Sequence, residues 1–514
     1  MNGGKPVNVS SSITPLIGER LTGIQSKLQW ADVDWNKVEE HANRLQTRIT
    51  KAVKEGKWHL VKRLQYLLTH SLYAMLLAVK NVTQNRGKRT AGIDGAKWTT
   101  PNAKMNAALS LSDKRYKAKP LRRVYIPKPG SAKKRPLSIP TMYDRAMQTL
   151  YALALSPVAE STADACSFGF RQYRSAQDAC EYAFTCLSTK GSAQWVLEGD
   201  IKGCFDNINH DWLLENIPMD KAILKQFLTA GFVYNRHLNP TKAGTPQGGI
   251  ISPLLANMTL DGLEMAIASR WHVTKRGIID KRRCNPHKVN FVRYADDFIV
   301  TAASEETAKE IAELIKGFLK ERGLELSEEK THITHIDDGF DFLGWNFRKY
   351  KGKLLIKPSK KAIDNVTRKV SGVIKRAKAW NQANLIDALN PIIIGWSNYH
   401  RSVVSAEVFR NLDHRMWNML WRWAKRRHPD KSRTWVARKY WHSEGSRNWV
   451  FSTERNRLKL FSDTKIVRHS SLKLDKNPYL DSEYFKLRKL RQKALKLSEW
   501  CKTRWDKLKD SLCA

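Results

Sequence analysis

Residues 289–300 read Val289-Asn290-Phe291-Val292-Arg293-Tyr294-Ala295-Asp296-Asp297-Phe298-Ile299-Val300, two adjacent carboxylates between apolar runs. Adjacent aspartates inside one strand would point to opposite faces, and burying either charge is costly, so the pair belongs at the turn of a β-hairpin. Such a turn offers oxygen ligands to a hard cation. Phosphoryl-transfer sites hold Mg²⁺ with one or two carboxylates together with substrate phosphates. A polymerase is the chemistry this pattern suggests first, and a solvated hairpin tip is the plain alternative. The surrounding chain has to decide between them.

At 514 residues the chain is too long for one ordinary core, and roughly three or four domains are expected. An apolar fraction of 42% is ample for folding. With 90 Lys and Arg against 49 Asp and Glu, the net charge of +41 exceeds what solubility requires and implies a polyanionic partner. No apolar stretch is long enough to span a membrane, and the first twenty residues carry no apolar signal core, so the reading is an intracellular nucleic-acid protein with no membrane partner. Seven scattered cysteines without a Cys-x-x-Cys pair argue against both a disulfide framework and a structural zinc site. Cys204, two residues before Asp206, is a candidate for oxidation or alkylation.

From Trp35 to Val79 the pattern predicts two helices interrupted at Gly56, with stripes Val38, Leu45, Ile49, Val53 and Val61, Leu64, Leu68, Leu72. Asn85–Gly95 reads as an irregular basic loop. Between residues 90 and 350, strand-like runs (Leu121–Pro127, Trp195–Ile201, Val289–Thr301) alternate with helical stretches, which predicts an α+β region. The helix from about Ser304 should bury Ala308, Ile311, Ile315 and Phe318. Beyond Pro358 the pattern turns helical and basic, and from residue 401 onward 29 Lys and Arg face 12 Asp and Glu. Trp417, Leu420, Trp421 and Trp423 recur at helical spacing and fit a core better than base-stacking platforms. Interleaved Arg415, Arg422, Lys425, Arg426 and Arg427 are the better candidates for phosphate contacts.

Upstream of the hairpin, Trp195-Val196-Leu197-Glu198-Gly199-Asp200-Ile201 alternates so that Glu198 and Asp200 share a face opposite Leu197 and Ile201. Asp200, Asp296 and Asp297 together would make a three-carboxylate cluster able to hold two divalent ions. That cluster exists only if folding brings together residues 96 positions apart. A third element, Gly244-Thr245-Pro246-Gln247-Gly248-Gly249-Ile250-Ile251-Ser252-Pro253, is a glycine turn feeding a helix start, readable as a nucleotide-binding wall or as ordinary helix initiation.

The ordered set Lys128-Pro129, Arg135-Pro136-Leu137-Ser138-Ile139-Pro140, Ser167-Phe168-Gly169-Phe170-Arg171, Asp200 with Phe205-Asp206, Thr245-Pro246-Gln247-Gly248, Tyr294-Ala295-Asp296-Asp297, Gly323–Thr331 and Phe342-Leu343-Gly344 resembles the reverse transcriptases of bacterial group II introns. Downstream, Gly395-Trp396-Ser397-Asn398-Tyr399-His400 resembles their maturase region. The resemblance implies a right-hand polymerase of fingers, palm and thumb, α+β in class, with a helical N-terminal extension and an all-helical basic C-terminal region. Its implied boundaries are an extension over 1–89, fingers and palm over 90–345, thumb and maturase domain over 346–430, and a small DNA-binding region over 431–514. Asp200, Asp296 and Asp297 would be the catalytic acids, with the Ile201 carbonyl also near a metal. Phe205 would exclude a 2′-hydroxyl, Gln247 would line the nucleotide pocket, Lys128 and Arg135 would grip the triphosphate, and Lys330 would assist pyrophosphate departure. Arg433, Arg438 and Lys439 are candidate DNA phosphate contacts.

The resemblance further implies two Mg²⁺ ions, with Mn²⁺ as the other ion that oxygen ligands accept. Its implied partners are group II intron RNA, template RNA with a DNA primer, target DNA and deoxynucleoside triphosphates, in the bacterial cytoplasm. The chain shows no His-Asn-His cluster and no cysteine pairs, so it is expected to resemble members without an endonuclease. Two other functions fit the same motifs: a reverse transcriptase recruited to phage defence or CRISPR adaptation, and an RNA-binding splicing factor without polymerase activity.

Overall fold

Three amphipathic helices occupy residues 35–84. The computed structural model describes residues 29–127, 134–281, 284–445 and 447–494, and its chain divides into two compact units. The first comprises residues up to Val158 together with Pro218–Lys242 and Pro246–Ile251. Its helices are Trp35–Lys54, Trp58–Thr69 and Leu72–Gln84. Asp34 caps the first by accepting from the amides of Asn36 and Lys37, and Gly56 at φ +67° turns the chain into the second. The expected second helix is in fact two. The Thr69 hydroxyl and the His70 ring both bond to carbonyls of the preceding turn, which ends the helix before Ser71, and Leu72 begins a new one. Val38, Ile49, Val61, Leu64, Leu68, Val79 and Val82 are buried as the apolar seam of this unit. The Asn85–Gly95 loop holds one short 3₁₀ turn, Arg86–Arg89.

The same unit carries a four-stranded sheet in the order Lys134–Ile139, Leu121–Pro127, Phe232–Tyr234, His237–Asn239. The first pair is antiparallel, with Arg135 opposite Ile126, and the central pair is parallel.

The second unit comprises Ala159–Ile217, Ala243–Thr245 and the chain from Ser252 onward. A second four-stranded sheet there runs Asn290–Tyr294, Asp297–Ala302, Trp195–Asp200, His332–His335, with every pair antiparallel. Helix Glu305–Lys320 packs beneath it through Ala308, Ile311, Ile315 and Leu319. Leu319 takes the place expected for Phe318, whose ring is half-buried under the Arg322 guanidinium at 3.5 Å. A three-stranded sheet, Lys353–Pro358, Trp345–Tyr350 and Phe340–Phe342, follows in the chain.

Helices Lys360–Arg376, Gln382–His400, Ala406–Arg427 and Arg433–Tyr440 then form one core around Leu385, Leu389, Phe409, Leu420 and Trp423. Trp417 and Trp421 stack at 5.5 Å and pack against that core, so the tryptophans serve packing, as their spacing predicts. The basic region is not all-helical. Trp441–Glu444 and Arg447–Phe451 form a β-hairpin, where aromatic residues favour a pleated surface and Gly445 supplies φ +58° at the turn. Helix Ser482–Ala494 covers the described part of the predicted helix Tyr484–Lys509, and the remainder lies outside the described residues.

Candidate active site

The hairpin reverses at Ala295 and Asp296, and Asp297 is the first residue of the returning strand. Ala295 holds φ +59°, a left-handed conformation that costs a residue with a Cβ unless its surroundings enforce it. Those surroundings are the segment Ser167–Arg171. The Phe168 amide donates to the Arg293 carbonyl at 2.8 Å, and the Arg293 amide donates to the Cys166 carbonyl at 3.0 Å. Gly169 lies so close to the turn that a Cβ there would stand 2.9 Å from the Tyr294 carbonyl carbon and 3.0 Å from the Ala295 Cα.

Arg293 supports the same turn from inside. Its side chain is fully buried and donates to Asp261 at 2.5 Å, to Asn257 at 3.1 Å and to the Ala295 carbonyl at 3.4 Å. Asn257 in turn donates to the Gly169 carbonyl at 2.7 Å. This positioning network was not anticipated from the sequence. The available signal was an arginine inside an otherwise apolar strand.

Asp200 ends its strand directly opposite Asp297, and Glu198 pairs across from Ile299 two residues earlier. Folding therefore brings the first acid against the hairpin, as the cluster requires. Burial, with the nearby charges of Asp296 and Asp200, pushes the Asp297 carboxyl up to about 7. Lys330 donates to Asp200 Oδ2 at 2.6 Å, and this bond raises the ammonium's pKa. The segment carrying Lys330 is fixed by the Ser327 amide, which donates to the Asp200 carbonyl at 2.8 Å, while Ile201 bridges to Leu326. Lys330 thus stands beside the first acid.

Among the described residues no three of His, Cys, Asp and Glu make a ready-formed metal cage. The donor set nonetheless suits a hard dication. It is all oxygen, with burial and the repulsion of neighbouring acids raising one carboxyl's pKa and an ammonium drawn onto another. Mg²⁺ needs only one or two such carboxylates when substrate phosphate completes its shell.

Phe205 lies in the short helix Cys204–Asn207, with its ring edge-on to Phe170 at 6.2 Å. Its carbonyl accepts from the Thr245 amide at 2.6 Å, and Gly244 at φ +79° lets the glycine turn run against the backbone of Phe205 and Asp206. Cys204 is not the reactive thiol expected: it is 4% exposed, and burial pushes its pKa up to about 12.

In the first unit, the Gln247 carbonyl accepts from the Ser138 amide at 2.7 Å, and the Gln148 side chain accepts from the Ile250 amide at 2.8 Å. These bonds hold the glycine turn against the strand of Arg135, which is itself exposed. Lys128 lies outside the described residues.

Of the predicted phosphate contacts, Arg422, Arg426 and Arg427 line one cavity of about 320 Å³ together with Lys375 and Lys378, which the sequence reading missed. Lys375 comes from the last turn of helix Lys360–Arg376 and Lys378 from just beyond its cap, Ala377, and their three-residue spacing was the available signal. Among the described residues no acidic side chain lines this cavity. Lys425 and Arg415 are exposed outside it, and Arg433, Arg438 and Lys439 are exposed on helix Arg433–Tyr440.

Comparison with known proteins separates three segments. Residues 126–347 match the family model for reverse transcriptase (RNA-dependent DNA polymerase), residues 30–111 the N-terminal domain of reverse transcriptase, and residues 363–441 the group II intron maturase-specific domain. The group II intron-encoded protein LtrA of Lactococcus lactis subsp. cremoris is 34% identical over 360 residues, 59% of each chain, so this chain spans about three fifths of that relative's length. Protein YkfC of Escherichia coli (strain K12) is 31% identical over 318 residues, 55% of this chain and 82% of that one. A solved telomerase from Candida albicans, in complex with a fragment of telomeric RNA, overlaps 63% of this chain at TM-score 0.35 and 13% identity. The order of the three matched segments, with the identity and coverage of YkfC, shows that the chain belongs to the family of group II intron reverse transcriptases.

Proposed function

We propose that this chain is an RNA-directed DNA polymerase that also acts as a maturase, binding its structured intron RNA. The observation that carries the polymerase half is the register that sets Asp200 opposite Asp297, with Asp296 in the adjoining turn. Two Mg²⁺ ions held by Asp200, Asp296, Asp297 and the Ile201 carbonyl would supply activation of a primer 3′-hydroxyl and charge neutralisation at the leaving pyrophosphate. Mn²⁺ offers the same oxygen-ligand chemistry.

The protein's own groups have distinct tasks in this reading. Asp297 must be ionised to serve as a ligand, and a bound dication would favour that ionised form. Lys330, now paired with Asp200, stands where its ammonium would serve a phosphate oxygen of the departing pyrophosphate. Phe205 bars a 2′-hydroxyl, Gln247 lines the nucleotide pocket, and Lys128 and Arg135 bind the triphosphate, the guanidinium by paired bonds. Segments 1–89, 90–345, 346–430 and 431–514 act as template-holding extension, fingers with palm, thumb with maturase domain, and DNA-binding region.

For the maturase half, the acid-free groove of Lys375, Lys378, Arg422, Arg426 and Arg427 supports binding to the phosphate backbone of the intron RNA. Template RNA with its DNA primer, target DNA and deoxynucleoside triphosphates are the remaining partners. Among the described residues no helix is long and apolar enough to cross a membrane.

Primer extension on an RNA template with Mg²⁺, using deoxynucleotides or ribonucleotides, tests the reading in wild type and Asp296→Ala. Extension that requires deoxynucleotides and disappears in the variant, with intron RNA binding unchanged, is the expected result. A well-folded wild type that binds intron RNA but does not extend would overturn the polymerase half.

A further inference from the structure

Helix Ala176–Leu187 begins beside the segment Val467–Ser470 and the end of helix Gln382–His400, and a cavity of about 170 Å³ lies among them. That is several times the roughly 30 Å³ a water molecule occupies in the liquid. Its polar lining has an unusual balance. Arg401 donates from Nη1 to Asn398 Oδ1 at 3.3 Å, yet its buried Nε has no acceptor, and burial lowers the pKa of the guanidinium. The hydroxyls of Ser402 and Ser470 are also buried without a partner. These unmet groups come from two segments almost 70 residues apart. They are held together by the Val467 amide, which donates to the Arg401 carbonyl at 3.0 Å.

The acids nearby are already matched. Asp178 accepts from His469 at 2.9 Å and from Arg488, and Glu181 faces Arg468 at 3.6 Å. No carboxylate pairs with Arg401 among the described residues. The two helix ends oppose each other: the start of Ala176–Leu187 favours an anion and the end of Gln382–His400 disfavours one. Arg401 stands at the unfavourable end, where its charge offsets the last carbonyls.

We propose that this cavity is a binding site for a phosphate-class oxyanion, held by Arg401 with the Ser402 and Ser470 hydroxyls. A cation is excluded by the guanidinium, and an apolar ligand would leave three buried donors unmet. A tetrahedral oxyanion presents enough acceptors for all three, and guanidinium binding to phosphate is the strong, charge-assisted kind. Arg468 and Asn398 are exposed at the rim, so the site opens to solvent. The phosphate can come from a nucleic-acid backbone or from free phosphate. Neither source depends on the polymerase reading.

The test follows thermal unfolding of the full chain in inorganic phosphate and in chloride at matched ionic strength, for wild type, Arg401→Gln, Ser402→Ala and Ser470→Ala. Bound phosphate stabilises the folded state by mass action, and general attraction to the basic surface is common to all four proteins. The Tm increment from phosphate should fall to less than half in Arg401→Gln and fall measurably in both serine variants. Reading the increment rather than Tm itself separates ligand loss from any weakening of the fold, and the serine changes remove only a hydroxyl. Equal increments in all four proteins would overturn the proposal and leave the cavity to ordered water. Salt titration of single-stranded RNA binding then assigns the source. A log–log slope reduced by about 1 in Arg401→Gln identifies a backbone phosphate, and an unchanged slope with the lost increment identifies free phosphate.

Discussion

Gly169→Ala puts one methyl group against the hairpin turn that carries Asp296 and Asp297. The added Cβ would meet the Tyr294 carbonyl carbon at 2.9 Å and the Ala295 Cα at 3.0 Å, where ordinary contacts begin at 3.4 Å. Because these are backbone atoms, no side chain can rotate away, and the turn must move by at least 0.5 Å at Tyr294 and further at the Ala295 amide nitrogen, the nearest atom of all. Both segments are tethered, since Arg293 holds the Ala295 carbonyl and Asn257 holds the Gly169 carbonyl. Overpacking of this kind costs about 1–3 kcal/mol in stability. Misplacement of a reacting constellation by about 1 Å costs roughly a hundredfold in rate, so a shift of half that size or more predicts a loss of about ten- to a hundredfold. Single-turnover primer extension by the variant, alongside its thermal unfolding and its intron RNA binding, measures all three effects. RNA binding should be unchanged. Extension within twofold of wild type, in a variant with wild-type stability, would refute the idea that this close approach fixes the acids.

Three further outcomes follow from the same structure. Arg293→Met leaves Asp261 buried without its partner and should destabilise the second unit by about 3–5 kcal/mol in denaturant unfolding, whereas Arg293→Met with Asp261→Leu should recover most of that loss; equal loss in the double variant would argue against the pairing. His400 is buried, and burial lowers its pKa to about 4, so the unfolded chain binds the extra proton first and stability falls as pH drops from about 6.5 to 4. The full window is worth about 3 kcal/mol, and a non-titrating His400→Gln should flatten the acid limb of Tm against pH. Gly317→Ala in helix Glu305–Lys320 meets no atom within 4 Å and should raise stability by about 0.5–1 kcal/mol, and a fall in Tm would show a contact that the helix surface does not have.

Local pattern was enough to determine the hairpin, the strand ending at Asp200 and all but the last position of the stripe on the helix that follows, because alternation and helical spacing are properties of neighbouring residues. Charge balance was enough to imply a polyanionic partner, and the tryptophan spacing was enough to place those rings in a core. The helix break at His70 and the hairpin Trp441–Phe451 escaped, since each depends on side chains competing for backbone groups or on aromatic rings finding a surface to pack against. Only tertiary structure decided that Asp200 faces Asp297, that Arg293 braces the hairpin turn before Asp297 and that Cys204 is sealed from reaction. Strand pairing across nearly a hundred residues, and the burial of a charge beside its partner, are set by how the whole unit packs. No window of sequence contains both halves of either interaction.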